Sequence, residues 1–295
     1  MRKLLDLVRT DRLTLLKKKR FEISLTAPLV GYIVLLTIIP VIYAIYLSLV
    51  DPSSNTLTIR HYREIIFHFQ FRQALFNTLF ITLVGLSLEL CLGMIMAVIL
   101  SHSFRGRGVF RAILLISLGV PTIVAAANMR YIFDTSGLLN ETLLRLGLLR
   151  VPYDWTQGGM TTLMTVIAAD MWKVTPLVML ILLAGIESIP VELYESARID
   201  GASRWKEFWK ITLPLLKPSI TMALIIRGID AFRIFELPLI LVGRTEPVMS
   251  TYAYFEYFEA ININTSAAAG TMLLIMILVT IIGYLRIVGT REVVY

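Results

Sequence analysis

Six long apolar stretches constrain this chain more than any other feature: roughly Ile23–Val50, Ala74–Ser101, Ala112–Phe133, Thr161–Ile186, Ser219–Val242 and Ser266–Val288. Each exceeds the ~20 residues that a helix needs to cross the hydrocarbon of a bilayer. In that solvent every backbone N–H and C=O must find a partner within the protein, so runs of this length leave helices as the workable structure. A β-barrel would show short alternating segments instead. The expected fold is an all-α membrane protein with six transmembrane helices. A hydrophobic content of 57% over 295 residues and a mean hydropathy of +0.75 are far above those of a soluble domain of that length.

The net charge of +7 would suit a nucleic-acid partner if the basic residues formed one surface. They are distributed by loop instead. The segment before span one, the loops after spans two and four, and the C-terminus carry 18 Lys and Arg, against 7 in the alternate loops. The positive-inside rule then places both termini of a multi-pass membrane protein in the cytoplasm. No nucleic acid is expected. Residues 1–22, with Leu4, Leu5, Leu7, Val8 and Leu13 among basic residues, suggest an amphipathic cytoplasmic segment on the inner leaflet. Residues 23–288 form the membrane domain and 289–295 a cytoplasmic tail. The first apolar run is too long for a cleavable signal peptide. Cys91 stands alone, so it closes no internal disulfide.

A polar insertion separates spans four and five, over 187–217. Pro190 suits the first turn of a helix, where its missing donor costs nothing, and Glu192 and Glu195 favour the positive end of the helix dipole. Gly201 can take the left-handed conformation that ends that helix, and Ser203 can cap the next. Trp205, Phe208 and Trp209 fall on one face of the second helix. Two short helices around a glycine make a compact knob. It can serve as a docking surface, or as an interfacial pair resting its aromatics among the headgroups.

The spacing Glu195-Ser196-Ala197, three residues, Gly201, nine residues, Ile211-x-Leu213-Pro214 resembles the "EAA" loop of permease subunits of ATP-binding-cassette importers, with Ser196 replacing one small residue by another. Gly137-Leu138-Leu139-Asn140, Trp172-Lys173, Ile189-Pro190 and Phe232-x-x-Phe235-Glu236 are similar to the carbohydrate-type subfamily, which includes permeases for maltose, trehalose and glycerol-phosphate. Gly243-Arg244-Thr245-Glu246-Pro247 departs from it, since relatives often have a run of glycines before that proline. The resemblance implies a type I importer permease fold and an ATPase-coupling site at Glu195, Ala197, Asp200, Gly201, Ile211, Leu213 and Pro214. It also implies a place in the plasma (inner) membrane of a bacterium, a second, homologous permease, two ATPase subunits, an extracellular or periplasmic solute-binding protein, surrounding membrane lipid and a sugar substrate. This chain would hold no cofactor, because the partner ATPase binds ATP and Mg2+.

Charged residues inside the spans mark the other candidate region. Span five holds Arg227, Asp230, Arg233 and Glu236, and span four holds Asp170, Trp172 and Lys173. An ionised group at the bilayer centre costs ~2.5–3.5 kcal/mol on the insertion scale, so these groups must pair or face a wet path. The i, i+3 spacing allows Asp230 to pair with Arg227 or with Arg233, unless the path wets it. A hydrophilic substrate pathway would use Asp230, Arg227, Arg233, Glu236, Asp170 and Asn128. A structural ion pair is the competing reading for Arg227 and Glu236, and for Asp170 and its neighbours. Glu89 and Arg130 are weaker candidates, and Asn264 and Ser266 read as packing contacts. His61, His68 and His102 read as surface residues.

The chain lacks a P-loop, an H-E-x-x-H, a cysteine cluster and a G-x-S-x-G, so nucleotide hydrolysis, metal binding and enzyme activity are not expected. An ion-coupled secondary transporter would call for discontinuous helices or inverted repeats, and the six runs suggest neither. An intramembrane enzyme would call for a base beside Ser87 or Ser117, and no histidine is placed to serve either.

Overall fold

The computed structural model describes residues 23–288. The expected amphipathic segment 1–22 and the tail 289–295 lie outside the described residues. The described residues are helical, with one isolated β-bridge between Val50 and Leu57. Four helices are long and apolar enough to cross a membrane: α1 (Ile23–Ser48), α3 (Phe69–Ser101), α7 (Gly159–Glu187) and α13 (Ile263–Val288). Shorter elements complete the chain: α2 (Arg60–Phe67), α4 (Arg107–Gly119), α5 (Thr122–Ile132), α6 (Leu138–Arg145), α8 (Val191–Ile199), α9 (Arg204–Leu215), α10 (Lys217–Phe232), α11 (Glu236–Leu241) and α12 (Met249–Phe258).

Span three bends at Pro121, a residue whose position in an apolar run marks a kink, and span five is also broken. Helices α4 and α5 meet at 98° around Pro121, and α9 meets α10 at 61°. Up to six crossings result if each bent pair is one span. Discontinuous helices are therefore present, contrary to the reading of the apolar runs. Proline explains the geometry, because it removes a donor and its ring crowds the carbonyl four residues back. At the α4–α5 break, Lys173 Nζ donates to the Val120 carbonyl at 2.8 Å, and Ser117 Oγ donates to the Lys173 carbonyl at 3.2 Å. The 219–242 stretch breaks after Phe232. Pro238 cannot donate to Ile234 O, and the Ser250 hydroxyl donates there instead. Pro40 and Pro214 are accommodated by another device. Each follows a π-helical turn, Val34–Ile38 and Phe208–Thr212, and the residue just before the proline donates to the carbonyl five back.

Helices α3 and α7 form the centre of the bundle. Along α7, 56% of the most apolar window is buried; along α1 none is. The apolar side chains of α1, such as Leu25, Leu29 and Leu35, face outward, as lipid-facing positions require. One core cluster joins α3, α5, α7 and α11 through Ile81, Ala126, Val166, Ile167 and Leu237. A second, farther along the same seam, joins α3, α7 and α10 through Ala97, Val178, Met179, Leu182 and Leu216. A third packs α12 and α13 on the start of α3 through Phe71, Tyr252 and Ala268. Gly185 permits the closest approach: a Cβ there would meet Ser219 Oγ at 2.2 Å and Leu216 Cδ1 at 2.7 Å. The α7 backbone thus bears directly on the bend between α9 and α10.

Candidate functional site

The polar insertion folds into a helical hairpin, α8 and α9. Pro190 is the N-cap of α8, one position earlier than expected, and Glu192 lies in the first turn. Gly201 has φ +76, and Gly201 N and Ala202 N donate to Arg198 O at 3.0 Å and Ala197 O at 2.9 Å. That pair of bonds is the Schellman closure, which needs a residue tolerant of positive φ at this position. Ser203 caps α9 by accepting from Lys206 N. Trp205, Phe208 and Trp209 make mutual ring contacts at 5.5–6.4 Å, and Trp205 is 72% exposed. Glu195, Asp200, Gly201 and Pro214 are exposed, whereas Ala197, Ile211 and Leu213 are half-buried.

Two cross-links absent from the motif hold the hairpin closed. Arg198 Nε donates to Glu207 Oε1 at 3.0 Å, and the Tyr194 and Thr212 hydroxyls are 2.9 Å apart. Opposite charges on either side of Gly201 were the available signal for the first. A cavity of about 1050 Å³ opens between the hairpin and the ends of α3 and α7, with Ser101, His102, Glu187 and Tyr194 on its walls. At its rim Glu187 accepts from both Arg107 and Arg111.

The membrane charges pair in part as expected: Asp230 takes Arg233, one of its two anticipated partners, and Arg227 goes elsewhere. Arg227 does not bond to Asp230. It donates through Nε and Nη2 to Glu89 at 2.9 and 3.0 Å, and through Nη2 to Asp170 at 2.9 Å. The reason is geometric: α10 packs on both α3 and α7, so a long side chain on its inner face reaches two facing carboxylates across the seam. All three groups are buried, at 3%, 1% and 7% exposed. They lie between the first two apolar clusters, where unpaired charge would be costly. Glu89, the weaker candidate, is the bidentate partner.

Asp230 pairs instead with Arg233 at 2.8 Å, and this pair is open to solvent. Glu236, in the first turn of α11, and Asn128, on α5, are exposed, and Arg130 Nη1 donates to Ile240 O at 3.4 Å. The structure therefore divides the candidate residues in two. Arg227 and Asp170 sit inside the seam; Asp230, Arg233, Glu236 and Asn128 lie on open surface. Trp172 is 45% exposed.

At the end of the bundle away from the hairpin, buried polar side chains organise the loops. Asn140 is 1% exposed. Its amide donates to Asp134 O, Thr135 O and Tyr153 O, and its carbonyl accepts from Tyr153 N and Trp155 Nε1. In the same loop, hydrogen bonds from the Ser136 hydroxyl and amide hold the Asp134 carboxyl below its ordinary range. Glu246, in the segment that departs from the glycine run, is 7% exposed and accepts from Gln73 and Asn77 at 2.8 Å and from Gly159 N at 2.5 Å. It ties α3 to the N-terminus of α7. Asn264 donates to Leu47 O and Val50 O, and Ser266 to Ala253 O, which are packing contacts. His61 is buried rather than on the surface, with Nε2 3.1 Å from Val50 O. Among the described residues no group of three His, Cys, Asp or Glu could hold a metal ion.

A bundle with paired charges in its interior, charged groups on an open face and a helical hairpin running into one of its spans defines a multi-pass membrane transport subunit. The profile of the family described as "Binding-protein-dependent transport system inner membrane component" matches residues 89–291, and this chain belongs to that family. The trehalose/maltose transport system permease protein MalF of Thermococcus litoralis is 35% identical over 269 residues, spanning 88% of this chain and 90% of that protein. The trehalose transport system permease protein SugA of Mycobacterium tuberculosis is 31% identical over 284 residues, spanning 92% and 90%. A chain of a bacterial ABC transporter involved in the import of the acidic polysaccharide alginate has the same fold, with TM-score 0.84 at 22% identity, over 96% of this chain and 99% of that one. The family and these relatives are transport permeases, not enzymes.

Proposed function

We propose that this chain is the permease subunit of an ATP-driven importer for a sugar or sugar-like solute, forming half of the translocation pathway beside a second, homologous permease. The chain's likeness to trehalose/maltose and trehalose transport permeases supports the substrate class. In this reading the chain crosses the membrane six times, with the bent pair α4–α5 as the third span and α10 with α11 as the fifth. The N-terminal segment, the C-terminal tail and the α8–α9 hairpin face the cytoplasm, following the 18 to 7 division of basic residues. Two ATPase subunits there bind ATP and Mg2+, and a solute-binding protein delivers substrate on the opposite side.

One observation carries the coupling mechanism. The hairpin leads through the 61° bend straight into α10, and α10 is pinned by Arg227 to Glu89 of α3 and Asp170 of α7. A displacement of the hairpin is therefore a displacement of α10 against the two central spans. Glu195 and Asp200 present charge to the ATPase, and Gly201 sets the angle between the two helices. Ile211, Leu213 and Pro214 carry the movement into the bend, and Ala197 keeps the α8 face low. Closure of the ATPases on ATP would tilt α10 and open the path outward, and hydrolysis would reverse it, by rigid-body motion. Asp230, Arg233, Glu236 and Asn128 line the path on the open face.

Gly201→Val tests this reading. At φ +76 a β-branched residue is strained, so the variant should insert and assemble but lose sugar-stimulated uptake while basal ATP hydrolysis persists. Glu195→Lys should reduce recovery of the ATPase on copurification. Normal uptake by the first and undiminished recovery with the second would sink the coupling role.

A further inference from the structure

Helix α12 is apolar on two sides, and only one of them is used for packing. Met249 and Tyr252 are 1% and 4% exposed, and Tyr252 meets Phe71 edge-on at 5.5 Å. On the other side a continuous run of rings remains outside the core. Phe235 packs on Tyr254 at 5.4 Å, Tyr254 on Phe258 at 4.8 Å, and Phe258 on Tyr257 at 4.8 Å. Tyr257 and Phe258 end this run at 46% and 63% exposed. Phe235 belongs to the Phe232-x-x-Phe235-Glu236 motif, but Tyr254, Tyr257 and Phe258 fall in no motif read from the sequence.

Ion pairs stand at both ends of the aromatic run. Arg244 pairs with Glu259 and lies over the Phe255 ring at 4.9 Å. At the other end, Phe235 follows two residues after Arg233, which pairs with Asp230. Both pairs are open to solvent, with side chains 41–65% exposed. Open ring faces bounded by solvent-facing carboxylates and guanidiniums make a mixed surface. Hydrocarbon would match the rings and penalise the charges; a charged peptide would match the charges and leave the rings bare. A pyranose ring matches both, since its C–H faces are apolar and its rim carries hydroxyls that donate to carboxylates and accept from guanidiniums.

We infer that this side of α12 is a saccharide-contacting platform at the end of the pathway opposite the hairpin, with Tyr257 and Phe258 stacking on a sugar ring and the Arg244–Glu259 pair bonding its hydroxyls. The inference rests on the sugar-importer reading and adds to it a contact site within this chain. Nothing covalent happens at the platform. It holds substrate transiently between release from the binding protein and entry beside Asp230 and Arg233.

The test uses vesicles containing the complete transporter, with radiolabelled trehalose and maltose as probes. Phe258→Leu keeps apolar bulk but removes the planar face, and Phe258→Trp keeps the face. Initial uptake at subsaturating sugar should fall at least tenfold in Phe258→Leu and stay within twofold of the parent in Phe258→Trp, with assembly and ATP hydrolysis unchanged in both. Tyr257→Leu should behave as Phe258→Leu does. Full uptake by both leucine variants would show an ordinary lipid or packing contact and overturn the platform alone. Loss in Phe258→Leu and Phe258→Trp alike would also overturn it, because shape rather than a stacking face would then be what matters. Import of neither sugar by the parent transporter would overturn the sugar reading and the platform together.

Discussion

Replacing Arg227 with leucine removes the one cation from a buried cluster of three charges. Its guanidinium makes hydrogen bonds of 2.9–3.0 Å to two carboxylates that are 1% and 7% exposed. Leucine occupies much of the space but strands Glu89 and Asp170. Removing one partner of a buried pair costs ~3–5 kcal/mol, and two stranded acids place this variant toward the upper end of that range. Arg227→Lys keeps the charge without the planar fork. It should cost about 1.5–3 kcal/mol, the worth of a hydrogen bond to a charged group, because an ammonium cannot reproduce the bidentate contact with Glu89. The decisive variant combines Arg227→Leu with Glu89→Gln and Asp170→Asn. Amides carry no buried charge, so most of the lost stability should return. The measurement is the unfolding midpoint of the detergent-purified transporter, with sugar uptake read in parallel. A midpoint unchanged in Arg227→Leu, or no recovery in the triple variant, would refute the argument that the cluster is a closed electrostatic unit. If stability returns in the triple variant but uptake does not, the cluster also transmits movement from α10 to the central spans, as the coupling mechanism requires.

Cysteine at Ser203 should react with a membrane-impermeant thiol reagent only from the cytoplasmic side, and cysteine at Thr245 only from outside, in a background with Cys91 replaced; the opposite labelling pattern would overturn the proposed topology. Asp230→Ala should lower sugar uptake several-fold while the complex assembles and keeps basal ATPase activity, because its partner Arg233 is exposed and survives in water; unchanged uptake would remove Asp230 from the pathway. Asn140→Ala removes a buried amide that accepts from Tyr153 N and Trp155 Nε1 and donates to three carbonyls, so it should destabilise the loop before α7 by about 1–3 kcal/mol. Faster proteolysis within 134–158 would report it, and an unaltered cleavage rate would count against the assignment.

The fold class was legible in the sequence because the bilayer is a demanding solvent. A backbone without water must bond to itself along the helix, so runs such as 74–101 and 161–186 announce helices, and both lie within long unbroken ones. The hairpin was legible for a related reason. Gly201 and Ser203 act on backbone groups within a few residues of themselves, and local geometry of that kind is written in residue order. The breaks in spans three and five were less legible. Pro121 marked the first, whereas the second shows only in the structure, and at both a distant group, Lys173 for one and Ser250 for the other, serves the exposed carbonyl.

The partners of Arg227 were decided by tertiary structure alone, whereas the Asp230–Arg233 pair is local and was legible in the spacing. By sequence, Arg227 had one convenient partner, Asp230, three residues away. In the bundle it turns inward to Glu89 and Asp170, which stand 138 and 57 residues away in the chain, and Asp230 is left to Arg233 on the open face. Glu246 likewise gathers Gln73, Asn77 and Gly159 from two other elements. Hydropathy and helix periodicity describe one segment at a time, so they reveal that a buried charge needs a partner. Only helix packing brings particular side chains within 3 Å across a seam, and so determines which partner it receives.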